Sequence, residues 1–109
     1  MSITEKISKL TEIKGVRVPM ASSILTVYDP TSYAVIDYRV LRSLPKADPT
    51  LIDPNNYTKY AHWLLNYQND EQIYEEYLNT VRNIATNQGI TPREVDMGLW
   101  KYDKETVSP

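Results

Sequence analysis

Residues 10–44 read LTEIKGVRVPMASSILTVYDPTSYAVIDYRVLRSL, and this stretch decides the fold. Upstream of it, Ser2-Ile3-Thr4-Glu5 is a capping box, and Ile3, Ile7 and Leu10 follow at helical spacing. That first helix stops near Glu12, because Gly15 can take the left-handed conformation that turns the chain. Pro19 suits the first turn of a second helix, where its missing N–H costs nothing. Met20, Ala21, Ile24, Leu25 and Tyr28 give this helix one apolar stripe, and Asp29-Pro30 ends it. After a loop over 29–35, a third helix starts near Asp37 with Val40, Leu41 and Leu44 facing inward.

Outward from this stretch the pattern stays helical. Residues 45–56 hold three of the seven prolines and predict a connector that cannot be helical throughout. A fourth helix is expected from Tyr57 to Tyr67, burying Tyr60, Ala61, Leu64 and Leu65. Asp70 caps a fifth, with Ile73, Tyr77, Leu78, Val81, Ile84 and Ala85 on one face and Asn87-Gln88-Gly89 as its end. Thr91-Pro92-Arg93-Glu94 is a second capping box, followed by Val95, Leu99 and Trp100, and the polar tail after Lys101 is expected to fray. The expectation is a single all-α domain over 1–109 with about six short helices. It divides into a helix-hairpin-helix over 2–28, a helix over 36–44 and C-terminal helices over 57–105.

Composition narrows the chemistry. The 109 residues include no cysteine and a single histidine, His62. Disulfides, zinc ribbons, thiol nucleophiles and iron–sulfur clusters are thereby excluded. No apolar run approaches the roughly 18 residues of a membrane span, and no signal-peptide pattern opens the chain. The expected setting is cytoplasmic or nucleoid/nuclear, without secretion and without a membrane partner. Charge is uneven: Ile13–Lys46 carries five cations against two anions, whereas Leu51 onward carries five against nine. One basic face on a mildly acidic body suits a phosphate backbone.

Two features in the opening stretch carry chemistry. The tight turn Ile13-Lys14-Gly15-Val16-Arg17-Val18 precedes a helix N-terminus, where free N–H groups and the dipole form an anion site, with Lys14 and Arg17 beside it. Asp37, between Val35-Ile36 and the start of the third helix, reads as an N-cap that can also serve as a reactive carboxylate. Elsewhere, Asp70, Glu71, Glu75 and Glu76 read as a solvated acidic helix start, and His62 reads as a packing residue beside Trp63. Tyr57, Tyr60, Tyr67, Tyr74 and Tyr77 lie at helical spacing and read as core and rim rather than as stacking groups.

Taken together, Ile13-Lys14-Gly15-Val16-Arg17-Val18-Pro19-Met20-Ala21 and Ile36-Asp37-Tyr38-Arg39-Val40-Leu41-Arg42 resemble the helix-hairpin-helix DNA glycosylase superfamily, which includes endonuclease III and 8-oxoguanine glycosylase. The resemblance implies a DNA-binding protein of base-excision-repair type. Its DNA contacts would come from Lys14, Gly15, Val16, Arg17, Val18, Met20, Arg39 and Arg42. Asp37 would be the essential acid of a monofunctional N-glycosylase, a hydrolase that stabilises positive charge on the sugar as a flipped base departs. A monovalent cation would sit on the backbone carbonyls of Thr11, Ile13 and Val16, and no other cofactor is implied. Pro19 stands where bifunctional members carry the Schiff-base lysine, so no lyase activity is expected. Arg17 replaces the hairpin's second glycine, and only one helix precedes the hairpin where the family has several. The chain thus resembles a short member, with a homodimer or a second subunit supplying the missing wall. The alternative is a non-catalytic helix-hairpin-helix module for DNA binding or protein assembly.

Overall fold

The computed structural model describes residues 1–107. Six helices follow in order: α1 (Ile3–Thr11), α2 (Val18–Tyr28), α3 (Tyr38–Ala47), α4 (Tyr57–Asn66), α5 (Glu71–Gln88) and α6 (Pro92–Val107). A 3-10 turn, Pro49–Ile52, lies between α3 and α4, and no strand occurs among the described residues. The all-α reading with about six helices is what the chain adopts. Among the described residues, no helix is long and apolar enough to cross a membrane.

The local signals act where the sequence places them. Ser2 accepts the Glu5 N–H at 3.1 Å while Glu5 accepts the Ser2 N–H at 3.2 Å, completing the first capping box. Asp37 and Asp70 cap α3 and α5 through bonds from the Val40 and Gln72 N–H groups. Gly89 ends α5 at φ +69°, in the left-handed region that favours glycine.

α5 is the central post. Ile73, Tyr74, Tyr77, Leu78, Val81 and Ala85 are buried along it, against α1, α2 and α6. The acids at its start are not merely a solvated face, which corrects the sequence reading. Glu71 and Glu75 accept bonds from Ser8 and Thr4 of α1, and Glu76 accepts the Trp63 indole N–H at 3.1 Å. Tyr60, Tyr67, Tyr74 and Tyr77 are buried, as their spacing predicts.

Four further expectations are corrected. α3 runs through Pro45 to Ala47, and the connector buries Leu51 within its 3-10 turn. In α4 the fully buried residue is Trp63, whereas Leu65 is 83% exposed. α2 turns Val18, Ala21, Ser22, Leu25 and Thr26 inward and leaves Met20, Ile24, Val27 and Tyr28 exposed. From Lys101 to Val107 the chain does not fray, because Asp103, 1% exposed, is bound by α3; residues 108–109 lie outside the described residues.

The segment joining α2 to α3 has no helical or strand partners, yet its backbone is bonded along its length by side chains. Arg82 donates twice to the Ser32 carbonyl, at 2.9 and 2.7 Å. Tyr74 and Tyr77 donate to the carbonyls of Ala34 (2.8 Å) and Val35 (2.6 Å). The Val35 N–H donates to Asp96 at 2.8 Å, and the Ile36 N–H donates to the Ser22 hydroxyl at 3.0 Å. Burial pushes both tyrosine hydroxyls above their ordinary pKa, so they remain protonated donors across the physiological range.

Removing one such donor strands a buried carbonyl. Tyr77→Phe is expected to lower the unfolding free energy by about 1–2 kcal/mol with an unchanged denaturant slope. Urea denaturation against Tyr57→Phe, whose parent ring is exposed, checks this; equal midpoints for the two variants contradict the bond's importance.

Candidate functional site

The hairpin closes by backbone bonding: Ile13 N–H donates to Leu10 at 3.2 Å, and Val16 N–H donates to Ile13 at 3.0 Å. Gly15 sits at φ +85°, with open space where a Cβ would project. Glycine is therefore required by the backbone angle and not by crowding. Arg17 does not take a left-handed conformation. It is extended (φ −101°, ψ 176°) and precedes α2 as its N-cap, so this position imposes no need for a second glycine.

Not every N–H of the turn is available to a ligand. Val16 donates to Ile13, and the Val18 N–H donates to the Gln68 carbonyl at 3.2 Å, with Val18 itself buried. Gln68 also accepts from the Arg17 guanidinium at 3.2 Å, which fastens the hairpin to the α4–α5 turn. Arg17 and Met20 N–H groups have no partner among the described residues, and Lys14 and Gly15 are exposed. α2 carries no acid in its first turn, so no side-chain charge offsets the positive end of its dipole. Of the three carbonyls assigned to a cation, that of Ile13 already accepts the Val16 N–H. Among the described residues no group of three or more His, Asp or Glu side chains is arranged to hold a metal ion.

One turn beyond Met20, α2 reaches a groove of about 790 Å³. Ser23 forms part of its wall, Val35 and Asp37 another part, and α6 supplies Arg93, Asp96, Met97 and Trp100. Ser22 couples the parts: it donates to Pro19 at 2.7 Å, inside the first turn of α2, and accepts the Ile36 N–H next to Asp37. Asp37 is half-buried. Its Oδ1 accepts the Val40 N–H at 2.8 Å, and its Oδ2 has no hydrogen-bond partner among the described residues. Since no fully buried side-chain oxygen among the described residues lacks a partner, Oδ2 is not sealed from solvent.

Asp96 is the group that sequence reasoning missed. It lies in the same groove, 1% exposed, with one oxygen on the Val35 N–H and the other on the Arg93 guanidinium. Burial pushes its pKa up to about 6, against the lowering effect of the Val35 and Arg93 bonds, and the Asp37 charge adds to the rise. One signal could have found it. Asp96 and Asp103 share the inward face of α6 with Leu99, and a carboxylate on an apolar face must have built-in partners.

Arg39 and Arg42, which the resemblance implies as DNA contacts, meet a buried carboxylate of α6. Both reach Asp103: Arg42 through two bonds of 2.9 and 2.7 Å, Arg39 through one of 3.1 Å. Hydrogen bonding from Arg42 holds the Asp103 carboxyl below the usual range, so it stays ionised and fixes α6 to α3. Both arginines keep more than a third of their side chains exposed. His62 is exposed, with Asn66 at 3.1 Å and Asp70 at 4.0 Å, away from the groove.

Comparison with protein-family models, with curated proteins and with solved structures finds no match to this chain.

The raised pKa of Asp96 sets the sign of a pH effect. Between the unfolded value near 3.8 and the folded value of about 6, the folded state holds this proton more firmly than the unfolded state. Its contribution to stability is therefore full below the lower value and is lost as pH rises through about 6. Asp96→Asn should remove that decline, giving a variant whose stability relative to the parent improves from about pH 4 to about pH 6 and levels off above that. Urea midpoints across this range check it, and a difference that does not change with pH contradicts it.

Proposed function

We propose that this chain binds DNA through the Lys14–Met20 hairpin and removes a damaged or mismatched base, with Asp37 as the essential acid. The observation that carries the reading is the coupling of two sites by one residue. Ser22 ties the first turn of α2 to the backbone beside Asp37, so a phosphate held at the hairpin fixes the strand relative to the carboxylate.

The chemistry follows from what Asp37 offers. Its Val40 bond holds the carboxylate in place at the helix start, while Oδ2 remains available. As the glycosidic bond breaks, the base departs with the electron pair and positive charge builds on the sugar. A fixed carboxylate stabilises that charge, and water then adds at the same carbon while its proton passes to the departing base, which leaves neutral. Lys14 and Arg17 add charge-assisted contacts at the phosphate, and the unpartnered Arg17 and Met20 N–H groups supply backbone donors. A monovalent cation on the Thr11, Ile13 and Val16 carbonyls belongs to the same proposal. With Pro19 in place of a lysine, the product is an abasic site and the strand is not cut.

A second reading, a non-catalytic module that binds DNA or assembles with another protein, is favoured by one observation. The outer face of α2 leaves Met20, Ile24, Val27 and Tyr28 exposed beside the groove, the last two at 85% and 87%. An apolar face of this kind marks a contact surface, and the resemblance places a further wall of helices near it.

Asparagine caps a helix as well as aspartate does, so Asp37→Asn tests the acid without disturbing α3. Base release from duplexes carrying a panel of lesions should fall by on the order of 10²–10³-fold, with duplex affinity unchanged. If the parent chain releases no base from any of them yet binds duplex, the module reading holds instead. Phosphate contact has its own measurement. Arg17→Ala and Lys14→Ala should each flatten the slope of log affinity against log salt by roughly 0.9. An affinity of the parent that does not fall with salt removes the hairpin from the interface.

A further inference from the structure

The α3–α6 junction carries an arrangement that neither the hairpin nor Asp37 uses. Four of the seven cation–aromatic pairs among the described residues lie there. Arg42 stands 5.1 Å from the Tyr38 ring centre, Arg39 and Lys104 stand 5.7 and 5.2 Å from Trp100, and Lys46 stands 5.7 Å from Tyr102. Arg39 and Arg42 meet on the same oxygen of Asp103, so the pairs form one connected row from Tyr38 through both guanidiniums to Trp100 and Lys104. Tyr38, Trp100 and Tyr102 are 48%, 39% and 38% exposed.

A row of this kind could be packing at a helix crossing, but two features go beyond what packing needs. Asp103 already ties α3 to α6 without the rings, accepting bonds from Arg42 and Ser43 as well as from Arg39. Charge remains in excess: Arg39, Arg42, Lys46, Lys101 and Lys104 stand against the buried Asp103, against Glu105 and against Asp37 in the adjoining groove. Half-exposed flat rings set among surplus cations match a ligand that is both planar and polyanionic. A chain of plain carboxylates such as polyglutamate would satisfy the cations but offer nothing planar to the rings. A duplex would satisfy the cations but keeps its bases stacked on each other.

We propose that the α3–α6 face binds an unpaired nucleic-acid strand, with Tyr38, Trp100 and Tyr102 stacking on bases and the neighbouring cations following the phosphates. Stacking on aromatic rings with charge along the backbone is the general physics of single-strand binding. The surface is continuous with the groove, because Trp100 and Lys104 belong to both. The proposal draws on residues other than the hairpin turn and does not require base removal.

The test uses the full chain and an oligothymidylate of about twelve nucleotides, with polyglutamate of similar charge as the comparison. Trp63 is fully buried, so quenching of tryptophan emission on titration reports a base against Trp100. Binding by labelled-strand anisotropy should weaken about tenfold in Trp100→Ala and in Tyr38→Ala, and Trp100→Phe should retain most of it. Circular dichroism melting separates a binding loss from a folding loss, and Tyr102→Ala gives a further site should either variant melt early. An oligouridylate arm tells RNA from DNA, and tight binding of either strand supports the proposal. Equal affinity for polyglutamate, absence of quenching, or wild-type binding by both alanine variants overturns it. These outcomes are independent of the Asp37→Asn result, which is read on duplex substrates.

Discussion

The rest of the structure depends on how the non-helical segment Ser32–Asp37 is held. It crosses the interior without a strand partner, and buried backbone groups left unpaired cost about as much as a lost hydrogen bond each. Five side chains from three helices meet that need: Ser22 from α2, Tyr74, Tyr77 and Arg82 from α5, and Asp96 from α6. At roughly 1 kcal/mol net apiece, these bonds are a substantial share of the roughly 5–15 kcal/mol that stabilises a domain. They also fix where α3 begins, because Asp37 is the last residue of the segment and the cap of the helix. The position of the carboxylate is thus set by the same bonds that hold the core closed.

This arrangement explains what could be read from the sequence. Helix existence was legible because capping boxes, Gly15, Gly89 and the proline positions act locally, within one turn of the residues concerned. Asp37 was legible as a cap for the same reason. Helix facing was less so. Met20, Ile24 and Tyr28 of the expected α2 stripe point outward, while Ala21 and Leu25 stay inside, because Ser22 and Thr26, polar by type, are drawn inward: Ser22 serves Ile36, and Thr26 bonds back to the Ser22 carbonyl at 2.7 Å. Trp63 is wholly buried in α4 where Leu65 is expected, because its indole N–H reaches Glu76.

The site was half legible. The hairpin turn and Asp37 lie within one continuous stretch, and their spacing shows in the chain. The other wall of the groove comes from α6, some sixty residues away, and Asp96 has no local signature beyond a misplaced charge on an apolar face. Arg39 and Arg42 illustrate the opposite failure. A basic stretch read alone suggests free cations, but Asp103 is brought to them only by the fold. The regional surplus from Ile13 to Lys46 is therefore smaller in space than in sequence, and the hairpin pair Lys14 and Arg17 is what remains of it near α2.

The two buried aspartates of α6 also divide the labour of the helix in a way their ionisation makes clear. Asp103, bound by two guanidiniums that reach water, is held ionised and acts as a permanent rivet between α3 and α6. Asp96, bound by one guanidinium and one amide, is pushed toward neutrality by burial and clamps the segment at a free-energy cost that the Val35 bond only partly offsets. Seven residues, or two turns, separate them on one face, so α6 grips the molecule at both ends of the groove. A helix placed only to complete the core would have put leucine at both positions. Asp96 instead holds the segment that carries Asp37, and Asp103 holds the helix that Asp37 caps. The cost of ionising Asp96 is borne where it fixes the geometry of the groove.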